Sequence, residues 1–303
     1  MELTLQHLRL LREVARQSTI TAAADALGYT RSAVSQQLMG LERSTGVAVL
    51  ERVGRNVRLT DAGRVLVRHA DEVLTGVEAA EAALEAAAGD VRGLVEIGIY
   101  ESIAAPFLAP LVTQMSNDHP QMTIRSREIE PEDALDALLH GDLDLAFTLD
   151  YAHDSAVRQP DVMRTPIAHE HFVAVTLADD RRPGRVDLAT LAERPFIAPS
   201  PDTGCGRAVV AACRQAGFEP DIVHQVDAYP TALDLVAAGL GVAVVPRFSA
   251  TPDETLRISE LRTPVTRTIE ISHRRSSTER PMIEAIVDFL VTSCLQPDTD
   301  LAS

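Results

Sequence analysis

Arg31, Ser32, Ser35 and Gln36 lie within six consecutive positions, and each carries a side chain able to hydrogen-bond a base edge or a phosphate. Val34, Leu38 and Leu41 recur among them at i, i+4, i+7. That spacing predicts a helix burying one stripe, with Ser32, Ser35, Gln36 and Met39 on the other side. Arg31 falls at its N-terminal end, where free backbone amides favour phosphate. The chemistry offered is the reading of duplex DNA by a groove-sized polar helix. The competing reading is an ordinary helical hairpin with a solvated polar face.

The neighbouring residues position that helix. Thr30 can cap it, and Gly28-Tyr29 breaks the helix before it. Ser18 or Thr19 can cap that earlier helix, whose small apolar stripe is Ala22, Ala23, Ala26 and Leu27. Residues 18–42 thus predict a helix-turn-helix. Leu5, Leu8, Leu11, Val14 and Ala15 mark an amphipathic first helix that closes a three-helix core. The β-prone runs 47–53 and 57–60 flank Gly54-Arg55-Asn56 and predict a hairpin, a wing. Arg52, Arg55 and Arg58 on it could reach phosphates beside the groove.

The segments AAADAL (22–27), RSAVSQQLMGLE (31–42) and VRLTDAGRVL (57–66) stand in order along the chain. Through them, the first ~90 residues, a size that suits one small domain, resemble the DNA-binding half of a LysR-type transcriptional regulator. Arg31 departs from the glutamine common there, which bears on base preference. Val49-Leu50 replaces a common leucine-phenylalanine, which should only repack the wing.

The 303 residues suit two or three domains. All 28 basic residues are arginine, and the net charge is −16. An acidic chain argues against nucleic acid until it is divided. Residues 1–64 hold nine arginines against six acidic residues, whereas 65–303 hold nineteen against thirty-eight. A basic head on an acidic body is the asymmetry expected of a DNA-binding module joined to a sensing module. The opening MELTLQHLRL has no basic leader region, and no apolar run reaches the ~18 residues of a membrane span. The expected location is cytoplasmic, with no membrane partner. Three cysteines, Cys205, Cys213 and Cys294, make no disulfide framework.

From 61 to 88 the chain has no proline and is rich in Ala, Glu and Val. Leu66, Ala70, Val73, Val77, Ala80, Leu84 and Ala87 follow a heptad spacing, the signal of a coiled coil between two chains. The alternative is a helix lying on its own protomer.

Beyond Gly89-Asp90 the grammar becomes alternating strands and helices, which predicts a parallel α/β sheet. Strands are expected at 94–99, 122–127 and 143–148, with a helix starting at Ser102 and another from 131 to 140. The second half repeats this with strands at 196–198 and 221–226 and a helix through Ala216. ALDALLHGDLDLAF (134–147) is echoed by ALDLVAAGLGVAVV (232–245). A return strand at 268–273 and a helix at 280–294 complete the body. Two similar lobes imply a ligand cleft between them.

The layout, with GDLDLAF and GLGVAVVP, resembles the effector-binding domain of the same family, whose fold is shared with periplasmic solute-binding proteins. The resemblance implies a winged helix-turn-helix at 1–60, a linker and dimerisation helix at 61–89, and a two-lobed effector domain at 90–303. Lobe I would take about 90–160 and 268–295, and lobe II about 161–267. It implies a homodimer or homotetramer on double-stranded operator DNA, with Thr30, Arg31, Ser32, Ser35, Gln36, Arg52 and Arg55 as the DNA contacts. It also implies a small-molecule effector held by Ser102, Ile103, Glu130, Thr148, Ser200, Pro201, Asp202, Thr203 and Tyr229. Helix starts at Ser102 and at Ser200 or Thr203 could hold a carboxylate or phosphate, although each hydroxyl also suits plain capping. Glu101, Glu130, Asp202 and Asp227 crowd the same region and disfavour an anion unless they point away; a cationic or polyol ligand would suit them.

Other signals are weaker. Asp202-Thr203-Gly204 matches the aspartic-protease triplet, but that chemistry needs a second carboxylate copy, which the chain lacks. His169-Glu170-His171 puts two imidazoles on one face of a strand without clear further ligands, so surface histidines are expected. No catalytic constellation is visible and no cofactor is expected. One branch of the family senses peroxide through a cysteine pair. Cys205 and Cys213 have seven residues between them, one fewer than that pattern, and on a helix they lie ~12 Å apart. The remaining alternatives are this redox-responsive form and a cytoplasmic solute-binding module without DNA binding.

Overall fold

A computed structural model describes residues 3–54, 56–151, 159–180 and 184–294. The N-terminal region begins with α1 (Leu5–Gln17), α2 (Ile20–Ala26) and α3 (Arg31–Thr45). Thr4, Thr19 and Thr30 cap them, their side chains accepting from His7, Ala22 and Ala33 amides. Leu10, Leu11 and Val14 of α1 meet Ala23 and Ala24 of α2 and Val34, Leu38 and Leu41 of α3 in one core. Within α2 the stripe differs from expectation. Ala24 is buried and Ala26 exposed, because the seven-residue helix packs by its middle turn.

The hairpin pairs β1 (Leu50–Val53) with β2 (Asn56–Leu59) antiparallel, from Leu50 opposite Leu59 to Val53 opposite Asn56. Its first strand is shorter than the run 47–53, because Val47 and Ala48 are spent leaving α3. Arg55 lies outside the described residues.

α4 (Asp61–Ala88) follows as one helix of 28 residues, roughly 42 Å long. The heptad seam is divided. Leu66 and Ala70 pack on the head, Ala70 beside Leu8 and Leu74. Further along, Val73 is 44% and Leu84 73% exposed.

The chain separates into two compact units, Met1–Ala87 and Ala88–Ser303. In the second, β3 (Gly93–Ile99) leads through α5 (Glu101–Ile103) and a π-helical turn at Ala104–Leu108 into α6 (Ala109–Asp118). The single helix expected from Ser102 is therefore interrupted. β4 (Met122–Glu128), α7 (Pro131–His140), β5 (Leu145–Tyr151) and β6 (Val162–Leu177) come next. Lobe II adds β7 (Pro195–Ala198), α8 (Gly204–Gln215), β8 (Asp221–Gln225), α9 (Tyr229–Ala237), β9 (Val242–Pro246) and β10 (Leu256–Glu260). β11 (Thr266–Arg274) and α10 (Pro281–Cys294) return to lobe I.

The sheet is mixed rather than purely parallel. Strands run in the order β4-β3-β5-β11-β6-β9-β7-β8, with β10 beside β6. β3 pairs parallel with β4 and β5, and β7 with β8 and β9, but β11 and β6 run antiparallel to their neighbours. The cause is that the chain crosses between lobes twice. The first half of β6 pairs with β11, and its second half, from Phe172, pairs with β9 and β10. Phe147, Ile97 and Ile271 centre one core; Phe172, Phe196 and Val242 centre the other. Among the described residues, no helix is long and apolar enough to cross a membrane.

Candidate functional site

Two places gather the chemistry, one in each unit. In the first, the inward stripe of α3 turns Ser32, Gln36 and Met39 outward, all exposed, with exposed Arg31 one residue into the helix. Ser35 is half-buried on the flank. Thr30 Oγ1 accepts from the Ala33 amide at 3.2 Å and lies 3.2 Å from Ser32 Oγ, so the cap and the first outward hydroxyl form one unit. Exposed Gln37 and Arg43 extend the outer surface beyond the residues expected from sequence.

The wing is tied to α3 by a carboxylate. Glu42 Oε1 accepts from the Val49 and Leu50 amides at 2.9 and 3.1 Å, and the Val57 amide donates to the Ser18 carbonyl at 3.1 Å. Arg52 is exposed on β1. Arg58 is exposed too, but it pairs with Glu51 across the hairpin at 2.6 Å. A surface pair of this kind is worth at most ~1 kcal/mol, so phosphate can compete for Arg58.

The second place is a cavity of about 290 Å³ between the lobes. Arg267 forms its inner end. Its side chain and that of Glu170 are each 1% exposed, and their N–O separation is 2.6 Å. Arg267 also donates to Ser102 Oγ at 3.0 Å and lies 5.7 Å from the centre of the Tyr100 ring. Glu170 uses its other oxygen to accept from the Phe248 amide at 2.7 Å. Burial works to discharge Arg267, but Glu170 and the surrounding tyrosines outweigh it and hold the guanidinium charged.

Tyr100, Tyr151 and Tyr229 line the middle of the cavity with Cys205. Tyr229 donates its hydroxyl to Cys205 Sγ at 2.9 Å. Burial raises all three phenols and the Cys205 thiol, so each stays protonated at neutral pH. The Tyr100 hydroxyl is buried without a hydrogen-bond partner. Toward the mouth stand Glu101, Glu128, Glu130, Glu132 and Asp227. Partial burial, then Glu132, Asp227 and Glu128, push the Glu130 carboxyl up.

Of the residues expected to hold an effector, Ser102, Glu130, Thr203 and Tyr229 line this cavity. The other five do not. Ile103 is fully buried in the lobe I core. Thr148 is spent on Ser272, oxygen to oxygen at 2.7 Å. Ser200 accepts from the Asp202 amide and turns the chain toward α8, while Pro201 and Asp202 form an exposed turn. Thr203 both caps α8, accepting from the Gly206 amide at 3.1 Å, and faces the cavity. Gly206 is required there, since a Cβ would collide with the Ser200 carbonyl.

Sequence reasoning missed Arg267, Glu170, Tyr100, Tyr151 and Cys205 as cavity chemistry. The period of two along β6 was a usable signal. It turns His169 and His171 to one face, where His171 meets Glu260, and Glu170 to the other. No group of residues able to hold a metal ion occurs among the described residues.

Comparison with known proteins agrees with both halves. Residues 5–64 match the profile of the bacterial regulatory helix-turn-helix protein, lysR family, and residues 88–295 match that of the LysR substrate binding domain. The chain is 30% identical over 251 residues to the transcriptional regulator AlsR of Bacillus subtilis, covering 80% of each. It is 31% identical over 264 residues to a probable hydrogen peroxide-inducible genes activator of Streptomyces viridosporus, covering 86% of this chain and 82% of that one. A full-length OxyR variant from Pseudomonas aeruginosa superposes with a TM-score of 0.73 at 23% identity, over 96% of this chain and 98% of the other. CbnR in complex with its target DNA gives a TM-score of 0.57 at 22% identity, over 96% and 100%. The chain belongs to the LysR family of bacterial transcription regulators, proteins that pair a DNA-binding helix-turn-helix with an effector-binding domain and are not enzymes.

Proposed function

We propose that the head (residues 1–60) reads a pseudo-palindromic operator in the cytoplasm, that the helix at 61–89 pairs two chains, and that a small molecule in the cavity of the 90–303 body alters the spacing of the two heads. The observation that carries this is α3, whose buried stripe leaves Arg31, Ser32 and Gln36 exposed together at a capped N-terminus. Ser35 supports them from the flank, and Thr30, Arg52 and Arg55 hold the backbone. Two heads on one duplex demand two half-sites. A ligand with different affinity for two lobe arrangements shifts the population between them. Ser102, Glu130, Thr203 and Tyr229 are its contacts, joined by Tyr100.

The test is fluorescence anisotropy with the DNA upstream of the protein's own gene. Arg31→Ala should cost ~1–3 kcal/mol there and relax selectivity at one base. Equal loss on random DNA would reduce Arg31 to a phosphate contact, and no binding by the folded wild type would overturn the reading.

Cys205 and Cys213 do not favour the oxidative alternative. Burial raises both thiols, and the reactive form is the thiolate. On α8 they are eight positions apart, ~12 Å along the axis and far outside disulfide geometry.

A further inference from the structure

Effector sites commonly hold carboxylates with an arginine or the amides of a helix start. In this cavity the chain's own acids occupy both. Arg267 is already paired with Glu170 at 2.6 Å and donates to Ser102, so its charge is balanced by the chain's own carboxylate. The first amide of α8, on Gly204, donates to Glu132 Oε1 at 2.7 Å, across the two lobes. Gly204 has no room for a side chain, because a Cβ would press on the Tyr151 ring, so this contact is a close one by construction. Asp227 is likewise engaged, accepting from the Ser200 amide at 2.8 Å.

What remains open is negative. Glu101, Glu128 and Glu130 stand exposed at the mouth, and Arg267 is the only cationic side chain among the lining residues. Partial burial is the first cause that raises the Glu130 carboxyl, and the further push from Glu132, Asp227 and Glu128 agrees with an uncompensated cluster. These carboxylates do not converge as a metal site would, since no metal-holding group exists among the described residues. The charge is spread over a cavity of about 290 Å³, at the lower end of small-molecule sites. Deeper in, the Tyr100 hydroxyl is buried without a partner, on a residue 6% exposed that lines the same space. An unpaired buried hydroxyl costs free energy that a ligand's polar group would recover.

We propose that the effector of this regulator is a small organic cation, a primary amine whose ammonium sits among Glu101, Glu128 and Glu130 and whose second polar group meets the Tyr100 hydroxyl. The proposal rests on the cavity being the effector site. Glu132 serves as the built-in anion that closes lobe II on lobe I and leaves no seat for an acidic ligand.

The experiment uses the full-length protein with ethanolamine and putrescine against succinate and benzoate, read by thermal shift and by calorimetry, with DNA binding measured on the same samples. The amines should bind and the carboxylates should be silent. Glu128→Gln with Glu130→Gln should weaken amine binding about tenfold or more, equivalent to at least ~1.4 kcal/mol, without lowering the melting temperature. Tyr100→Phe should erase any preference for ethanolamine over ethylamine. Glu132→Gln, which frees the Gly204 amide of a charged partner, should admit succinate. Binding of carboxylates by the wild type, silence toward millimolar amines, or amine binding untouched by the double variant overturns the proposal. Amine binding by a protein that ignores DNA supports it while sinking the operator reading.

Discussion

Glu170 shows how much one carboxylate can anchor. It links β6 to Arg267 on β11 and to the Phe248 amide, at the point where the chain passes between lobes. Glu170→Gln would leave Arg267 charged, buried and poorly paired. The expected loss is ~3–5 kcal/mol in urea denaturation, the usual result of breaking one side of a buried pair. A loss confined to ~1 kcal/mol would show that solvent reaches the pair. Cys213 makes a pH-dependent case. Burial, and then Glu219, push its thiol up to about 12, against ~8.5 in an unfolded chain. The folded protein holds that proton more tightly, so the contribution is complete below pH ~8.5 and fades as pH rises toward 12. Cys213→Ala should therefore flatten the alkaline side of the stability curve, and native alkylation at pH 8 should be slow at Cys213. Rapid labelling there would place the thiol nearer solvent than its burial implies.

Among the elements, α3 and the hairpin behave as one piece because Glu42 holds the amides of Val49 and Leu50 at the entry to β1. Glu42→Ala leaves both without their partner. Stability should fall by ~1–3 kcal/mol, and DNA affinity should fall further than stability explains, through the displaced wing. Unchanged affinity in the folded variant would mean that the wing makes no useful contact. The head elements were legible because their signals are local: threonine caps, a glycine break and a short-range stripe. The internal repeat was legible for the same reason. Gly141 and Gly239 each end a helix in the left-handed conformation, with φ of 79° and 77°, before strands β5 and β9. β6 was hidden. Its second half is buried on both faces, so the alternation that marks a strand is lost. The break in the helix begun at Ser102 was not foreseen, because the π-helical turn at Ala104–Leu108 leaves no mark in composition.

At the scale of the whole molecule, the heptad seam becomes a statement about assembly. Leu66 and Ala70 are used inside the protomer, while Leu84 is 73% exposed. An exposed leucine on a long helix gains stability by pairing with a second copy. Leu84→Glu should lower the mass seen in light scattering toward that of one chain, and it should weaken operator binding by removing the second head. An unchanged mass would assign pairing to another surface. The division of charge, nine arginines against six acids before residue 65 and an acidic excess after it, was written in the chain, as were its helical head and two-lobed body. Those properties come from composition and from patterns spanning a few turns. The cavity's inner end came only with folding, since Arg267 meets a Glu170 that is 97 positions away and a Ser102 that is 165 away. Partners at such distances share no periodicity, and only the double crossing of the chain between lobes brings them into contact.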